Sequence, residues 1–317
     1  MRAAVLTGPG VFELRECDVP EPKRGEVRVK LEGCGVCASS IPAWEGRPWF
    51  EYPFEAGAPG HEGWGTIDEL GDDVAGFTVG ERVALLSQRA HAEYDVVATS
   101  ALVPLPASLY KLPFPGEPLG CAMNVLERAA VTAGHTVAVI GVGFLGALLV
   151  ELASRVGAQV IAISRRPFSL ELARRCGARE VIAFDNSPGV VDRVLSLTGG
   201  QGCRRVIEAS GAQDALTLAG EVCAVGARLV IAGYHQDGLR EVDMQLWNWR
   251  GLDVINAHER REERYLSGMN EAVAAVLEGR LNPWPLMTHT FELSDLAAAY
   301  AAARSRPDGF MKALVTV

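Results

Sequence analysis

The sequence predicts an α/β chain in two parts: a small, strand-rich, partly open β-barrel and a doubly wound parallel sheet. Three observations carry this. The first hundred residues read as short strands punctuated by Gly and Pro, with no long amphipathic helix. From Cys121 onward strands and helices alternate. At that change stands T-V-A-V-I-G-V-G-F-L-G-A-L-L-V, Thr136 to Val150, a strand that runs through three glycines into an apolar helix.

Composition sets the bounds. A chain of 317 residues is long enough for two domains, each burying its own core, and 49% apolar residues fit a folded, globular protein. A net charge of −9 argues against nucleic acid or an anionic membrane as partner. The apolar run at Thr136 ends at Glu151, short of the ~18–20 residues a membrane span needs. Met1-Arg2 leads straight into A-A-V-L-T, so no secretory signal is expected. The seven cysteines are odd in number and thinly spread, which fits reduced thiols in a cytoplasm.

In the first part, Val27, Val29 and Leu31 alternate with charged neighbours as a half-buried strand. Further strands are expected at Val5-Leu6, Trp64 to Ile67, Val83 to Leu86 and Tyr94 to Val97. Polar chemistry concentrates in G-C-G-V-C-A-S-S, Gly33 to Ser40, and in G-H-E-G, Gly60 to Gly63. A Cys and a His on separate loops are what a catalytic zinc needs, with a further ligand and an open position. Residue types alone leave other readings standing: Cys34 and Cys37 as a redox pair or as two small buried hydrophobes, His61 as a hydrogen-bonded loop histidine. Between these loops, W-E-G-R-P-W-F-E-Y-P-F supplies Trp44, Trp49 and Phe50, either as the wall of a substrate pocket or as core packing.

In the second part a helix is expected over Asn124 to Ala133, leading into Gly141, Gly143 and Gly146. The spacing G-x-G-x-x-G between a clear strand and a clear helix gives a tight turn, room for a pyrophosphate and close helix–strand packing. The helix start at Phe144 and Leu145 then offers free N–H groups to phosphate, which makes this a dinucleotide site. Strands follow at Gln159 to Ile163, Glu180 to Ala183, Arg204 to Ala209, Ala227 to Ala232 and Leu252 to Asn256. Ser210 and Gly211 close V-I-E-A-S-G at a strand end, where a loop faces the nicotinamide half of such a ligand. Two helices are expected near the end, around Leu266 to Glu278 and over Asp295 to Arg304 with Ser294 as N-cap, before a last strand, Ala313 to Val317.

The combination G-C-G-V-C, G-H-E-G, G-E-R-V, E-P-L and G-V-G-F-L-G, in that order over nearly the whole chain, resembles the zinc-dependent medium-chain dehydrogenases, nearest their polyol- and sorbitol-dehydrogenase-like branch. The resemblance implies a GroES-like catalytic domain over 1–121 and 257–317 around a Rossmann dinucleotide-binding domain over 122–256. It implies one catalytic zinc on Cys37 and His61, with Glu62 beside the metal as a neighbouring or exchanging group. Glu117, 24 residues before Gly141, matches the third-ligand carboxylate, with Cys121 as the other choice. Ser39 matches the hydroxyl that bonds the substrate oxygen and passes its proton on. Three departures stand out. The family's four-cysteine structural-zinc lobe is missing. Ser40 and Pro42 replace an Asp and a His that many relatives use in the proton relay. Ser164, followed by Arg165 and Arg166, replaces the acid that closes the second strand in NAD-specific relatives.

These features imply a zinc-dependent oxidoreductase moving a hydride between a small-molecule secondary alcohol or ketone and NADP(H), preferred over NAD(H), in a homodimer or homotetramer. A zinc-free quinone or enone reductase and a non-catalytic NADP-binding protein are the rival readings.

Overall fold

The computed structural model describes residues 1–185 and 187–317. The chain forms two compact units, Met1–Gly120 with Tyr265–Val273 and Met287–Val317, and Cys121–Arg264 with Ala274–Leu286.

The first unit opens with an antiparallel pair, β1 (Arg2–Gly8) and β2 (Val11–Glu16). The long strand β3 (Glu26–Gly35) follows, then the short helix α1 (Ile41–Glu45) and strands β4 (Gly63–Leu70), β5 (Arg82–Leu85), β6 (Tyr94–Ala98) and β7 (Leu102–Pro104). In β3 the alternation reads through: Val27, Val29 and Leu31 are buried while Lys30 is exposed. Its first half pairs with β6 and its whole length with β4, so β3 is the hub of this sheet. Val27, Val29, Leu31, Ile67, Val83 and Leu85 form the core beneath it.

Helix α2 (Gly116–Ala129) begins eight residues before the expected start at Asn124 and stops short of Ala133. Gly116, Pro118 and Gly120 read as loop, but Pro118 sits in the first turn, where its missing N–H is one no helix would use. Glu117 therefore lies in the first turn of α2.

The second unit is a βα alternation: β8 (Thr136–Ile140), α3 (Phe144–Arg155), β9 (Gln159–Ser164), α4 (Pro167–Arg175), β10 (Glu180–Ala183), α5 (Ser187–Leu197), β11 (Cys203–Glu208), α6 (Gln213–Glu221), β12 (Cys223–Ile231), α7 (Met244–Arg250) and β13 (Asp253–Asn256). All pairings are parallel, in the order β10-β9-β8-β11-β12-β13. The direction of winding therefore reverses between β8 and β11, and the loops at their carboxyl ends flank the crevice where such sheets bind ligands. Ile140, Ile161, Ile163, Val206, Leu218 and Leu229 fill the core on the face toward α6.

After α8 (Glu262–Leu277), strand β14 (His289–Glu292) and helix α9 (Leu296–Ser305) lead to β15 (Ala313–Thr316), which lies between β14 and the end of β3. The expected cap at Ser294 is not formed. Ser294 lies in a tight turn, Leu293–Asp295, whose backbone already takes the Leu296 N–H on Leu293 O, and Asp295 precedes the helix without a side-chain cap. Among the described residues no helix is long and apolar enough to cross a membrane.

Candidate active site

Strand β3 ends at Gly35, and the chain turns through Cys37 into the tight turn Ala38–Ser40. The backbone here is held to the G-H-E-G loop by Gly35 N–H donating to Glu62 O at 3.1 Å. A Cβ on Gly35 would lie 1.8 Å from Glu62 Oε2, and one on Gly60 would lie 2.6 Å from His91 N. Glycine at 35 lets the two loops close on each other, and glycine at 60 lets the second loop close on the segment of Ala90 and His91.

The sulfur, imidazole and carboxylate donors of Cys37, His61 and Glu62 all lie within 4.8 Å of one another. Ser39 sits inside the group: its hydroxyl donates to Cys37 Sγ at 3.2 Å and lies 3.4 Å from His61 Nε2. Burial works to lower the His61 pKa, but the charge and hydrogen bond of Cys37, then the charges of Glu117 and Glu62, outweigh it and raise the value to about 10. Negative donors thus crowd one imidazole, a field that a bound cation would answer. Glu62 is fully buried and already has a cation: Lys312 Nζ, itself 5% exposed, lies 2.6 Å from Oε1 and 2.5 Å from Oε2. Glu117, half-buried in the first turn of α2, stands outside the three-residue cluster but close enough to raise the pKa of both His61 and Lys312.

The two cysteines of C-x-x-C part company. Cys34 is fully buried in the β3 core, where burial pushes its thiol pKa far up, while Cys37 is half-buried, and no disulfide joins them. The aromatic stretch divides too. Trp44, on α1, packs into the core around α9 with its ring 6.1 Å from that of Tyr300. Trp49 is 57% exposed, with its ring tilted 44° to that of Phe50, which in turn lies 6.0 Å from Phe54.

In the second unit the glycines act as their spacing predicts. Gly141 has φ +93°, and a Cβ there would meet Ser210 Cβ at 2.8 Å. A Cβ on Gly146 would lie 2.0 Å from Gly141 O, whereas Gly143 has nothing within 4 Å. The turn and the helix packing therefore forbid side chains at the first and third glycines, and the second leaves an open approach. Gly143 at the start of α3 makes no side-chain cap, and a helix N-terminus is where an anion is favoured.

Ser164 is buried at the end of β9, and its Oγ accepts the Arg166 N–H at 3.5 Å. The Arg165 guanidinium lies 5.2 Å above the Phe184 ring and is ion-paired with Asp214. Arg166 forms the N-cap position of α4.

Sequence reasoning passed over one buried network here. Glu208, fully buried at the end of β11, accepts the Ser210 N–H at 2.7 Å, the Ser210 hydroxyl at 2.8 Å and the Gly211 N–H at 2.8 Å on Oε1. Its Oε2 lies 2.9 Å from His235 Nε2, and Arg240 donates to His235 Nδ1 at 2.9 Å and to Gly211 O at 3.0 Å. Because Arg240 can only donate, Nδ1 is the acceptor and Nε2 carries the proton given to Glu208. A lone acid inside the apolar run V-I-E-A-S was the available signal.

Two family models match the chain, "Alcohol dehydrogenase GroES-like domain" over residues 23–107 and "Zinc-binding dehydrogenase" over residues 145–274. The chain is 28% identical to an alcohol dehydrogenase of Cupriavidus necator, covering 98% of this chain and 97% of that one. It is 26% identical to a sorbitol dehydrogenase of Halalkalibacterium halodurans, covering 96% of each. Among solved structures, an alcohol dehydrogenase from E. coli CFT073 complexed with cofactor NADH superposes with a TM-score of 0.89 at 25% identity, covering 100% of this chain and 99% of that one. With a GroES-like domain, a six-stranded Rossmann sheet and sorbitol-dehydrogenase relatives, the chain belongs to the zinc-type medium-chain alcohol dehydrogenase family.

Proposed function

We propose that this protein is a zinc-dependent dehydrogenase that interconverts a secondary alcohol and its ketone with NADP(H). The observation that carries the reading is the cluster of Cys37, His61 and Glu62 with the Ser39 hydroxyl set among them. Thiolate, imidazole and carboxylate are the donors zinc takes, and their mutual distances fit one ion. Cys37 and His61 would hold it, with Glu117 as third ligand. Glu62 is the weaker candidate because Lys312 lies against both of its oxygens. Bound zinc supplies a Lewis acid that lowers the pKa of an alcohol. Ser39 Oγ is the atom that would take the alcohol proton and return it to the ketone. The open space at Gly143 and the uncapped start of α3 fit a dinucleotide pyrophosphate, and the nicotinamide supplies the hydride chemistry. Trp49, exposed, and Phe50, half-buried, both close in sequence to the two loops, are candidates for the substrate wall.

The preference for NADP rests on Ser164 in place of an acid, with Arg165 and Arg166 following. Asp214 works against it, since its charge would oppose a 2′-phosphate. The Arg165–Asp214 pair is, however, 63% and 41% exposed at its two side chains, and such pairs contribute at most about 1 kcal/mol. A charge-assisted bond to phosphate contributes ~1.5–3 kcal/mol, so Arg165 would exchange partners at a net gain.

The test is elemental analysis of the purified chain together with turnover of a panel of alcohols followed by reduced-cofactor absorbance. One zinc per chain, lost in Cys37→Ser along with turnover but not with cofactor binding, supports the reading. An active chain without zinc points to a quinone or enone reductase, and cofactor binding without any turnover points to a non-catalytic binder. Either result sinks the proposal.

A further inference from the structure

This inference rests on the nicotinamide-cofactor reading of the parallel sheet. Such a sheet takes a dinucleotide in two halves, one on each side of the point where the winding reverses. Gly141, Gly143 and Ser164 follow or close β8 and β9, on the pyrophosphate and adenine side. The ends of β11 and β12 lie across the reversal and are left for the nicotinamide. Ser210 and Gly211 follow β11. After β12 the stretch 232–243 runs to α7 without a helix or strand, and its Leu239 is fully exposed.

A stretch of that kind is costly to order when a ligand arrives, unless it is already held in place. Here it is held. Glycines let the two loops meet: a Cβ on Gly233 would lie 2.2 Å from Gly211 N, and one on Gly211 would lie 2.6 Å from Tyr234 O. Half-buried Arg240 bridges that contact, donating from Nε to His235 Nδ1 at 2.9 Å and from Nη2 to Gly211 O at 3.0 Å. His235 carries the hold on to Glu208, whose other oxygen accepts the Gly211 N–H. Gly211 is therefore gripped at both ends of its backbone, by Glu208 at the N–H and by Arg240 at the carbonyl. Gln213, the first residue of α6, clasps the far part of the stretch, accepting the Glu241 N–H at 2.9 Å and donating to Glu241 O at 2.8 Å.

We propose that Arg240 and His235 are positioning residues for the nicotinamide half of the cofactor. They fasten the loop after β12 to the Ser210–Gly211 turn, so that the two form one preformed bed and binding does not have to order them. The adenine half, seated at the end of β9, does not depend on this clasp.

The experiment compares the full native chain with Arg240→Met, Arg240→Lys and Arg250→Met by calorimetric titration. Each chain is given a whole dinucleotide and its adenine half: NADPH against adenosine 2′,5′-bisphosphate, and NADH against AMP. Arg250 is the control for lost stability. It donates to Gly220 O at 2.9 Å, Glu221 O at 2.6 Å and Cys223 O at 2.8 Å, at the opposite end of β12. Lysine keeps the charge of Arg240 but lacks the planar fork that reaches two acceptors, and it serves as the milder variant should methionine prevent folding. The expected result for Arg240→Met is about tenfold weaker binding of the dinucleotide, the equivalent of one lost charge-assisted bond, with the adenine half bound as in the native chain. Arg240→Lys shows the same split, and Arg250→Met binds both ligands as the native chain does while its melting temperature falls. Native dinucleotide affinity in either Arg240 variant, an equal loss of the adenine half, or the same split in Arg250→Met overturns the inference alone. A native chain that binds neither dinucleotide overturns the cofactor reading and this inference with it.

Discussion

Replacing Glu208 by Gln is the sharpest test of the loop that follows β11. The carboxylate is fully buried, and it accepts three donors on one oxygen and the His235 Nε2–H on the other. An amide has one oxygen and one NH2. If the oxygen stays with Ser210 and Gly211, the NH2 faces the His235 Nε2–H, donor against donor. His235 cannot answer by moving its proton to Nδ1, because the Arg240 N–H already points there at 2.9 Å. Turning the amide round places the NH2 against three donors, which is worse. One buried donor is therefore orphaned and three charge-assisted bonds become neutral ones, a loss of about 2–4 kcal/mol. At roughly 2–4 °C per kcal/mol for a unit of this size, the melting temperature falls by about 5–15 °C. Ser210→Ala, which removes one hydroxyl, should lose only about 1 kcal/mol. Urea denaturation gives the energies, and hydrogen exchange at the Ser210 and Gly211 amides shows whether the loop is the part that loosens. A Glu208→Gln chain as stable as the native one, with both amides equally protected, would refute the argument.

Other outcomes follow from the same contacts. Gly143→Ala should leave the melting temperature near native and weaken cofactor binding at least tenfold, because its Cβ enters the open approach, whereas Gly146→Ala, 2.0 Å from Gly141 O, should damage the fold itself; calorimetry and cofactor titration separate the two. Burial lowers the His91 pKa to about 3, below its ordinary value of 6.5; unfolding then takes up a proton, so stability is lost as pH falls from about 6.5 toward 3, at up to about 1.4 kcal/mol per pH unit, and His91→Asn should flatten that limb in denaturation measured across pH. Glu117→Gln should lower zinc retention more than Cys121→Ser, and the opposite ranking in metal analysis would make Cys121 the third ligand. Asp214→Asn should raise the ratio of catalytic efficiency with NADP to that with NAD by about three- to tenfold, and an unchanged ratio would take Arg165 out of the phosphate site.

What the sequence made legible was whatever repeats locally or fits a turn. Val27, Val29 and Leu31 announced β3 by alternation, and the glycines at 141, 143 and 146 announced their turn because backbone sterics alone demand them. Cys37, Ser39 and His61 were singled out as residue types, and the structure brings them together. The helix that carries Glu117 was legible only from Asn124 onward, because Gly116, Pro118 and Gly120 imitate a loop and the first turn of a helix tolerates all three. The groups that were not legible are those whose meaning depends on distant partners. Lys312 is 250 residues from Glu62, and Tyr300 is 209 from His91. No local pattern distinguishes such a lysine from a surface one, and only a buried strand context, F-M-K-A-L-V, hinted that it is not.

The place of β15 has a consequence for how the molecule is made. Val315 pairs with Cys34 and Leu314 with Gly35, so the strand that completes the edge of β3 is synthesised long after β3 itself. Until it arrives, the backbone edge beside Cys34 lacks a partner, and Glu62 lacks the lysine that makes its burial tolerable. During translation the β8–β13 sheet has all of its strands long before the first unit has its own. The loops carrying Cys37 and His61 emerge well before the strand that sets them in place, and for that interval they depend on whatever else in the cell will shield an open strand.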